Sequence, residues 1–282
     1  MSVLNENTII GASAAGGYDI PNSLRFNDDD SAYLSRTQSA GSDGKTFTIS
    51  TWVKLGNLST NGALFDAYFG VSDFIMLDIV STDTLRIYSL QGGVDYGFAS
   101  EAKLRDPSAW YHLVCTLDTS NATAEDRMRL YINGVRVVDK STDYGAAPLD
   151  YVTDYFKTGF THTIGRRGDG ATYFDGYMAE TNVIDGLALT PDSFGETGDY
   201  GEWKPLKYTG AYGTNGFYLD FKNSGSLGND VSGNANDWTP TNLAATDQML
   251  DSPTNNFATL NPLDEGGTNT VAEGNLQYDK TG

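Results

Sequence analysis

Residues 110–138, WYHLVCTLDTSNATAEDRMRLYINGVRVV, decide the fold. They read as one strand, a polar loop, and a hairpin closed by Asn133-Gly134. Both central positions of a two-residue type I′ turn need positive φ, which Asn and Gly tolerate best. Met128, Leu130 and Ile132 alternate with Arg127, Arg129 and Tyr131, which predicts one buried face and one wet face. Upstream, residues 110–117 are apolar on both faces, as in a strand inside a sandwich. A chain whose best-defined stretch is a sheet core reads as a β-sandwich, with its function on loops and edges.

Composition agrees. The 282 residues include 17 Tyr, 13 Phe and 32 Gly, with many Ser and Thr and few helix-forming runs. A chain of this length buries roughly three quarters of its unfolded surface, so it builds a core without staples. The one cysteine, Cys115, sits mid-strand and reads as a small buried hydrophobe, because a reactive thiol wants exposure and a basic neighbour. Lys plus Arg number 18 against 37 Asp plus Glu, a net charge of −19 that repels phosphate backbones and argues against nucleic acid as partner. The opening MSVLNENTIIGASAAGG has no basic n-region and no long apolar stretch, so it does not read as a secretory signal. No window approaches the roughly 18 apolar residues of a membrane span. The expectation is a protein made in a cytoplasm and soluble there.

Further strands are predicted at 23–26, 32–35, 46–55, 63–69, 73–80 and 84–90, separated by turn signals such as Asn61-Gly62 and Gln91-Gly92-Gly93. Within TFTISTWVKL, the residues Phe47, Ile49, Val53 and Leu55 share one face. Residues 139–161 read as irregular, and 162–166 and 173–185 as two more strands. Thr190-Pro191 reads as the N-cap and first position of a short helical turn. Past residue 200 only 217–221 reads as a strand, and 223–255 is rich in Asn, Asp, Gly, Ser and Pro. A stretch that long without periodicity builds no core of its own. The organisation expected is an N-terminal arm (1–20), a sandwich (21–199) and an extended segment (200–282) lying on the sandwich or on a neighbouring subunit. The last residues read as the start of another strand, which suggests a natural chain that continues.

The order TFTISTWVKL, LFDA, LRIYSL, WYHLVCTLD, MRLYINGVRV, HTIGRR and YFDGYMAETNVIDGLALTPDSF resembles the concanavalin A-like, laminin G-like jelly roll. With NSLRFNDDDSAYLSRT before it and EWKPLKYTGAYGTNGFYLDF, DVSGNANDWTP and DSPTNNFATLNP behind, the set is most similar to the version in fibre proteins of tailed-phage virions. The resemblance covers about residues 20–262. Single pieces such as WYHLV are weak, and the ordered set is what carries it. It implies an all-β, two-sheet antiparallel jelly-roll sandwich with an N-terminal arm and a largely irregular C-terminal extension. It further implies a virion structural protein, a homo-oligomer with a trimer favoured, and recognition of a glycan or host surface.

Catalysis on this fold needs two carboxylates on one face, about 5–5.5 Å apart for a retaining glycosidase. Asp175, Glu180 and Asp185 lie five apart, so neighbours fall on opposite faces, and no Glu-x-Asp-x-Glu pattern occurs. The chain is therefore read as no enzyme, with Glu180 a hydrogen-bonded structural acid. His112 and His162 lack partners at zinc-ligand spacing, and His112 reads as a satisfied sheet residue. Calcium stays open as a cofactor. Laminin G-like modules often bind it, and Asp28-Asp29-Asp30 and residues 229–234 offer hard oxygens in turns that such residues equally favour for their own sake. A sugar site wants aromatic planes beside amides and acids. Tyr144, Tyr151, Tyr155, Phe156 and Tyr173, with Asp143, Asp150, Asp154 and Asp169 beside them, are the candidates. The alternative is that these rings cover the sandwich end or a subunit interface, which would make the protein a structural decoration or adaptor of the virion. Its partners are expected to be other virion proteins, held through the arm and the C-terminal extension.

Overall fold

The computed structural model describes residues 17–261 and 270–279. Apolar alternation resolves into two antiparallel sheets. Across the first sheet lie Val135–Arg136, Met128–Ile132, Tyr111–Asp118, Thr46–Leu55, Gly176–Asp185, Ser23–Phe26 and Gln248–Met249, with Phe217–Leu219 paired to the far half of Gly176–Asp185. Across the second lie Lys140–Gly145, Val94–Lys103, Thr84–Gln91, Asp73–Val80, Gly62–Gly70, Thr161–Ile164, Tyr33–Thr37 and Thr239–Thr241. The core between them is built from Phe47, Ile49, Val53 and Leu55, facing Phe65, Ile75, Leu77 and Ile87 among others. Burying each such side chain fully stabilises the fold by about 1.5–3 kcal/mol. Cys115 belongs to this core at 1% exposure, and burial pushes its thiol up to about 12, as its mid-strand place predicts.

The hairpin forms as expected. Asn133 and Gly134 have φ of 49° and 79°, and Gly134 is also required by space, since a Cβ there would lie 2.6 Å from the Trp203 ring. Met128 and Leu130 face the core. The opposite face departs from the expectation of a wet surface: Tyr131 is buried against Val114, Ile184, Phe194 and Tyr208. The reason lies in the C-terminal half, which runs back over the outer face of the first sheet. Phe194, Trp203 and Tyr208 cover the strands there, with Trp52, Trp110 and Tyr177 forming a second apolar layer. Polar groups of the same face find partners in the cover. Thr48 Oγ1 and Thr116 Oγ1 donate to the carbonyls of Leu187 and Leu189. Lys54, with a side chain 0% exposed, pairs with Asp251 at 2.8 Å.

Strands also lie where none is predicted, among them short pieces past residue 195 and two longer ones in the second sheet. Val94–Lys103 carries Gly97 at φ 116° and ends in exposed charge, so its alternation is broken. Lys140–Gly145 falls within the stretch read as irregular; it is a solvent-exposed edge strand whose register shifts twice. The turn Pro191–Ser193 forms, but Thr190 makes no side-chain cap; its extended backbone and the fixed φ of Pro191 set the turn instead. Residues 1–16 of the expected arm lie outside the described residues. From Tyr18 on, the chain lies on the first sheet, with Ile20 1% exposed. No helix among the described residues is long and apolar enough to cross a membrane.

Candidate functional site

The five aromatic candidates do not converge. Tyr155 and Phe156 are a correction: at 3% and 0% exposure they are core residues, and Phe47 stacks on Tyr155 at 4.7 Å. Two adjacent aromatics in a loop can both point inward because Phe156 takes φ 63° and its N–H bonds His162 Nε2. Neither offers a plane to a sugar. Tyr151 is half-buried at the end of the sandwich, its hydroxyl 2.9 Å from Ser89 Oγ and its ring 4.9 Å from Tyr96. Tyr173 is half-buried where it pairs with Arg166 across a short bridge. Tyr155 and Phe156 cluster with Phe47 and His162 inside the core, and of the five only Tyr144 belongs to an aromatic arrangement on an outer face.

That arrangement crosses the outer face of the second sheet. Tyr144 meets Tyr88 at 4.9 Å, Tyr88 meets Phe74 at 5.4 Å, and Phe74 meets Tyr68 at 5.9 Å. The row arises because Tyr68, Phe74 and Tyr88 take the pleat positions opposite the core, with Tyr68 and Phe74 directly paired in register. Guanidinium groups lie on these rings: Arg86 is 5.0 Å from the centre of Tyr88, and Arg167 is 4.9 Å from that of Phe74. Arg86 is fixed by both oxygens of buried Asp78 at 3.0 and 2.6 Å and donates to the Tyr144 hydroxyl at 3.3 Å. Burial raises the carboxyl of Asp78, opposed by that guanidinium.

Asp66 completes the face. It is 1% exposed; one oxygen accepts Gly168 N–H at 2.6 Å, and the other has no hydrogen-bond partner in the protein. Burial pushes it up to about 7, opposed by the Gly168 bond and by Arg167. Gly168 has to be glycine, because a Cβ would lie 2.4 Å from Tyr68. The Arg166–Gly170 turn thus sits directly on the sheet and delivers Arg167 to the ring row. Tyr68, Tyr88, Leu90 and Tyr144 remain half-buried, with faces or edges reachable from solvent. Sequence reasoning missed Tyr68, Phe74 and Tyr88 because they lie in strands that read as core. The signal was a second apolar set on the opposite pleat of residues 63–91.

A second opening lies at the sandwich end, a cleft of about 520 Å³ lined by Ser42, Gln91, Val152, Asp154, Lys157 and Thr158 among others. Thr153 anchors its wall, with N–H and hydroxyl both donating to Gly44 O. Lys157 pairs with Asp154 at 2.9 Å and lies 5.0 Å from the ring centre of Phe160.

The remaining sequence candidates are structural in their contacts. Glu180 sits in a bulge at φ 50°, 4% exposed, and accepts the hydroxyls of Tyr18 and Tyr218 at 2.8 Å each. Burial pushes it up to about 7 against those two bonds. Asp185 accepts two bonds from Asn215. His112 bridges Ser50 and the Trp203 indole N–H, each at 2.9 Å, and burial pushes it down to about 3. Of the calcium candidates, Asp230 has both oxygens engaged by Tyr218, Ser232 and Asn236. Among the described residues no group of three or more acids, histidines or cysteines is arranged to hold a metal.

No curated relative matches the sequence. Several solved structures align with part of it. A heptameric SAP-like pentraxin from Limulus polyphemus aligns at 17% identity and TM-score 0.44, over 62% of this chain and 80% of that one. Domain 4 of a GH43 extracellular arabinanase from Geobacillus stearothermophilus aligns at 22% and 0.41, over 55% and 65%. Domains LG4-5 of the mouse laminin alpha1 chain align at 13% and 0.42, over 71% and 48%. Residues 26–193, which hold the hairpin, both sheets' central strands and the aromatic row, match the Laminin_G_3 family, so the chain belongs to the concanavalin A-like lectin/glucanases superfamily.

Proposed function

We propose that this chain is a lectin-like attachment module of a phage virion structural protein, a tail or head fibre, which holds a host-surface glycan without cleaving it. The row Tyr144–Tyr88–Phe74–Tyr68 carries the reading. Sugar rings present C–H faces that lie on aromatic planes, and their hydroxyls pair with planar charged groups such as Arg167 beside the row. Binding rather than hydrolysis follows from the acids of that face: Asp78 is clamped by Arg86, and Asp66 lies beneath Gly168. A glycan array read with the wild type and with Tyr88→Ala plus Tyr144→Ala tests it. Binding should fall about thirtyfold, the effect of losing two stacking planes at roughly 1 kcal/mol each; unchanged binding would remove the row from attachment.

A purely structural role in the virion is the second reading. The sandwich end favours it, where Val152 lines the cleft at 49% exposure, Val94 pairs with the cleft residue Gln91 at 50%, and Val71 is 80% exposed in the turn before Asp73. A trimer, proposed by resemblance, would show as three chain masses in native mass spectrometry. Val71→Asp plus Val94→Asp would then return a monomer if those residues are the contact.

A further inference from the structure

Lys54 lies under the C-terminal cover with three acceptors around its Nζ. Asp251 Oδ2 is at 2.8 Å, Asn256 Oδ1 at 2.9 Å and the Phe257 carbonyl oxygen at 2.8 Å. The other oxygen of Asp251 accepts the Trp110 indole N–H at 3.0 Å and Phe257 N–H at 3.2 Å. The Lys54 and Asp251 side chains are 0% and 3% exposed, on the face that carries the apolar cluster of Trp110, Tyr177, Trp52 and Ile20. The Asn256 carboxamide is oriented from its far side, because its Nδ2 donates to Ser108 O at 2.9 Å. Its carbonyl therefore faces the lysine, while the residue itself stands at the exposed edge. A primary amine, a carboxamide and a carboxylic acid thus converge in one sheltered place, which supplies nucleophile, electrophile and proton carrier for an amide transfer.

We propose that Lys54 and Asn256 become joined by an intramolecular amide bond, with Asp251 carrying the proton. Opposite charges held out of water carry a desolvation cost that a neutral amine and acid do not. Passing one proton from Nζ to Asp251 Oδ2 frees the nitrogen lone pair beside the Asn256 carbonyl. A bond forms from Nζ to Cγ of Asn256, and the Cγ–Nδ2 bond breaks. One further proton from Nζ and the one held by Asp251 depart with the leaving nitrogen as an ammonium ion, through the exposed edge. The lysine ammonium and the carboxamide thus become a secondary amide plus ammonium, with no oxidant, metal or nucleotide consumed. Asp251 is assigned as the carrier, its Oδ2 taking a proton from Nζ and giving it up to the leaving nitrogen, so that it ends as the carboxylate it began as.

Intact-mass spectrometry of the purified full chain tests this. The expected mass is about 17 Da below that of the sequence, one ammonia lost. Digestion should give a branched peptide in which tandem fragmentation joins the Lys54 and Asn256 segments. Asn256→Ala, at an exposed position that leaves the core intact, should restore the full sequence mass, and Lys54→Arg should do the same. A wild-type chain at its sequence mass overturns the proposal. So does a loss that survives Lys54→Arg, as closure of an asparagine on its own backbone would give. A loss of about 18 Da, one water, would place the bond on Asp251 and overturn the assignment to Asn256.

Discussion

The two outer faces of this sandwich carry similar chemistry and meet opposite fates. On the first sheet, Trp52, Trp110, Tyr177 and Lys54 are sealed beneath the chain's own C-terminal half. On the second, Tyr68, Tyr88, Leu90 and Tyr144 stay half-buried under a single turn. Apolar residues on the outer pleat of a strand therefore call for a cover, and the cover comes either from within the chain or from outside it. The first sheet has its cover in cis. The second has none among the described residues, which is why the proposed ligand is placed there.

Removing the cover should have the largest effect. We propose that residues 200–282 belong to the sandwich energetically. A chain ended after residue 199 would leave Lys54 without Asp251 and Tyr131 without Tyr208, and it should give no soluble product with a cooperative melt. A sharp melt within a few degrees of the full chain would erase the contrast between the faces. Next comes Asp251→Ala, which strands a buried ammonium and should cost about 3–5 kcal/mol in urea denaturation. A loss below about 1 kcal/mol would mean water reaches that face.

A matched pair of tyrosines sharpens the comparison. Tyr131→Ala, on the covered face, should cost about 3 kcal/mol, and Tyr88→Ala, on the open face, about 1 kcal/mol. Equal costs would show the faces to be alike. The smallest effect is pH dependence, with one acid on each face. Glu180 and Asp66 are both pushed up to about 7 by burial, so the folded chain holds their protons more tightly than the unfolded chain does. Their contribution is present below about pH 4 and is lost as pH rises through 7, at about 1.4 kcal/mol for each tenfold difference in proton affinity between the folded and unfolded chain. Buried His112 and His162, pushed down to about 3 and about 4, work the other way below about pH 6.5, so the acids are read by difference: between pH 5 and pH 8, Glu180→Gln and Asp66→Asn should each lose less stability than the wild type. Variant profiles that run parallel to the wild type would contradict the burial of both acids.

What was legible in the sequence follows one physical rule. Strands whose burial alternates announce themselves by pattern, so Thr84–Gln91 was readable to within a residue, as was the Asn133-Gly134 turn. Where both faces are covered, the period disappears. Tyr131 reads as solvent-facing because the tyrosine that buries it, Tyr208, lies 77 residues further along. Edge strands such as Lys140–Gly145 have little to bury and therefore little pattern. The site was legible only at Tyr144, since the other rings of the row stand on strands whose apolar residues read as core. Tyr155 and Phe156 misled for the complementary reason: a loop with residues at positive φ can turn two aromatics into the core.

The contact between Lys54 and Asp251 also sets a clock. The two residues are separated by 197 positions, and a ribosome adding about 5–20 residues per second needs roughly 10–40 s to bridge that distance. Throughout that interval the nascent chain carries a finished lysine strand whose partner has yet to be synthesised. Until the partner emerges, Trp52 and Trp110 are open to chaperones and to other copies on the same message.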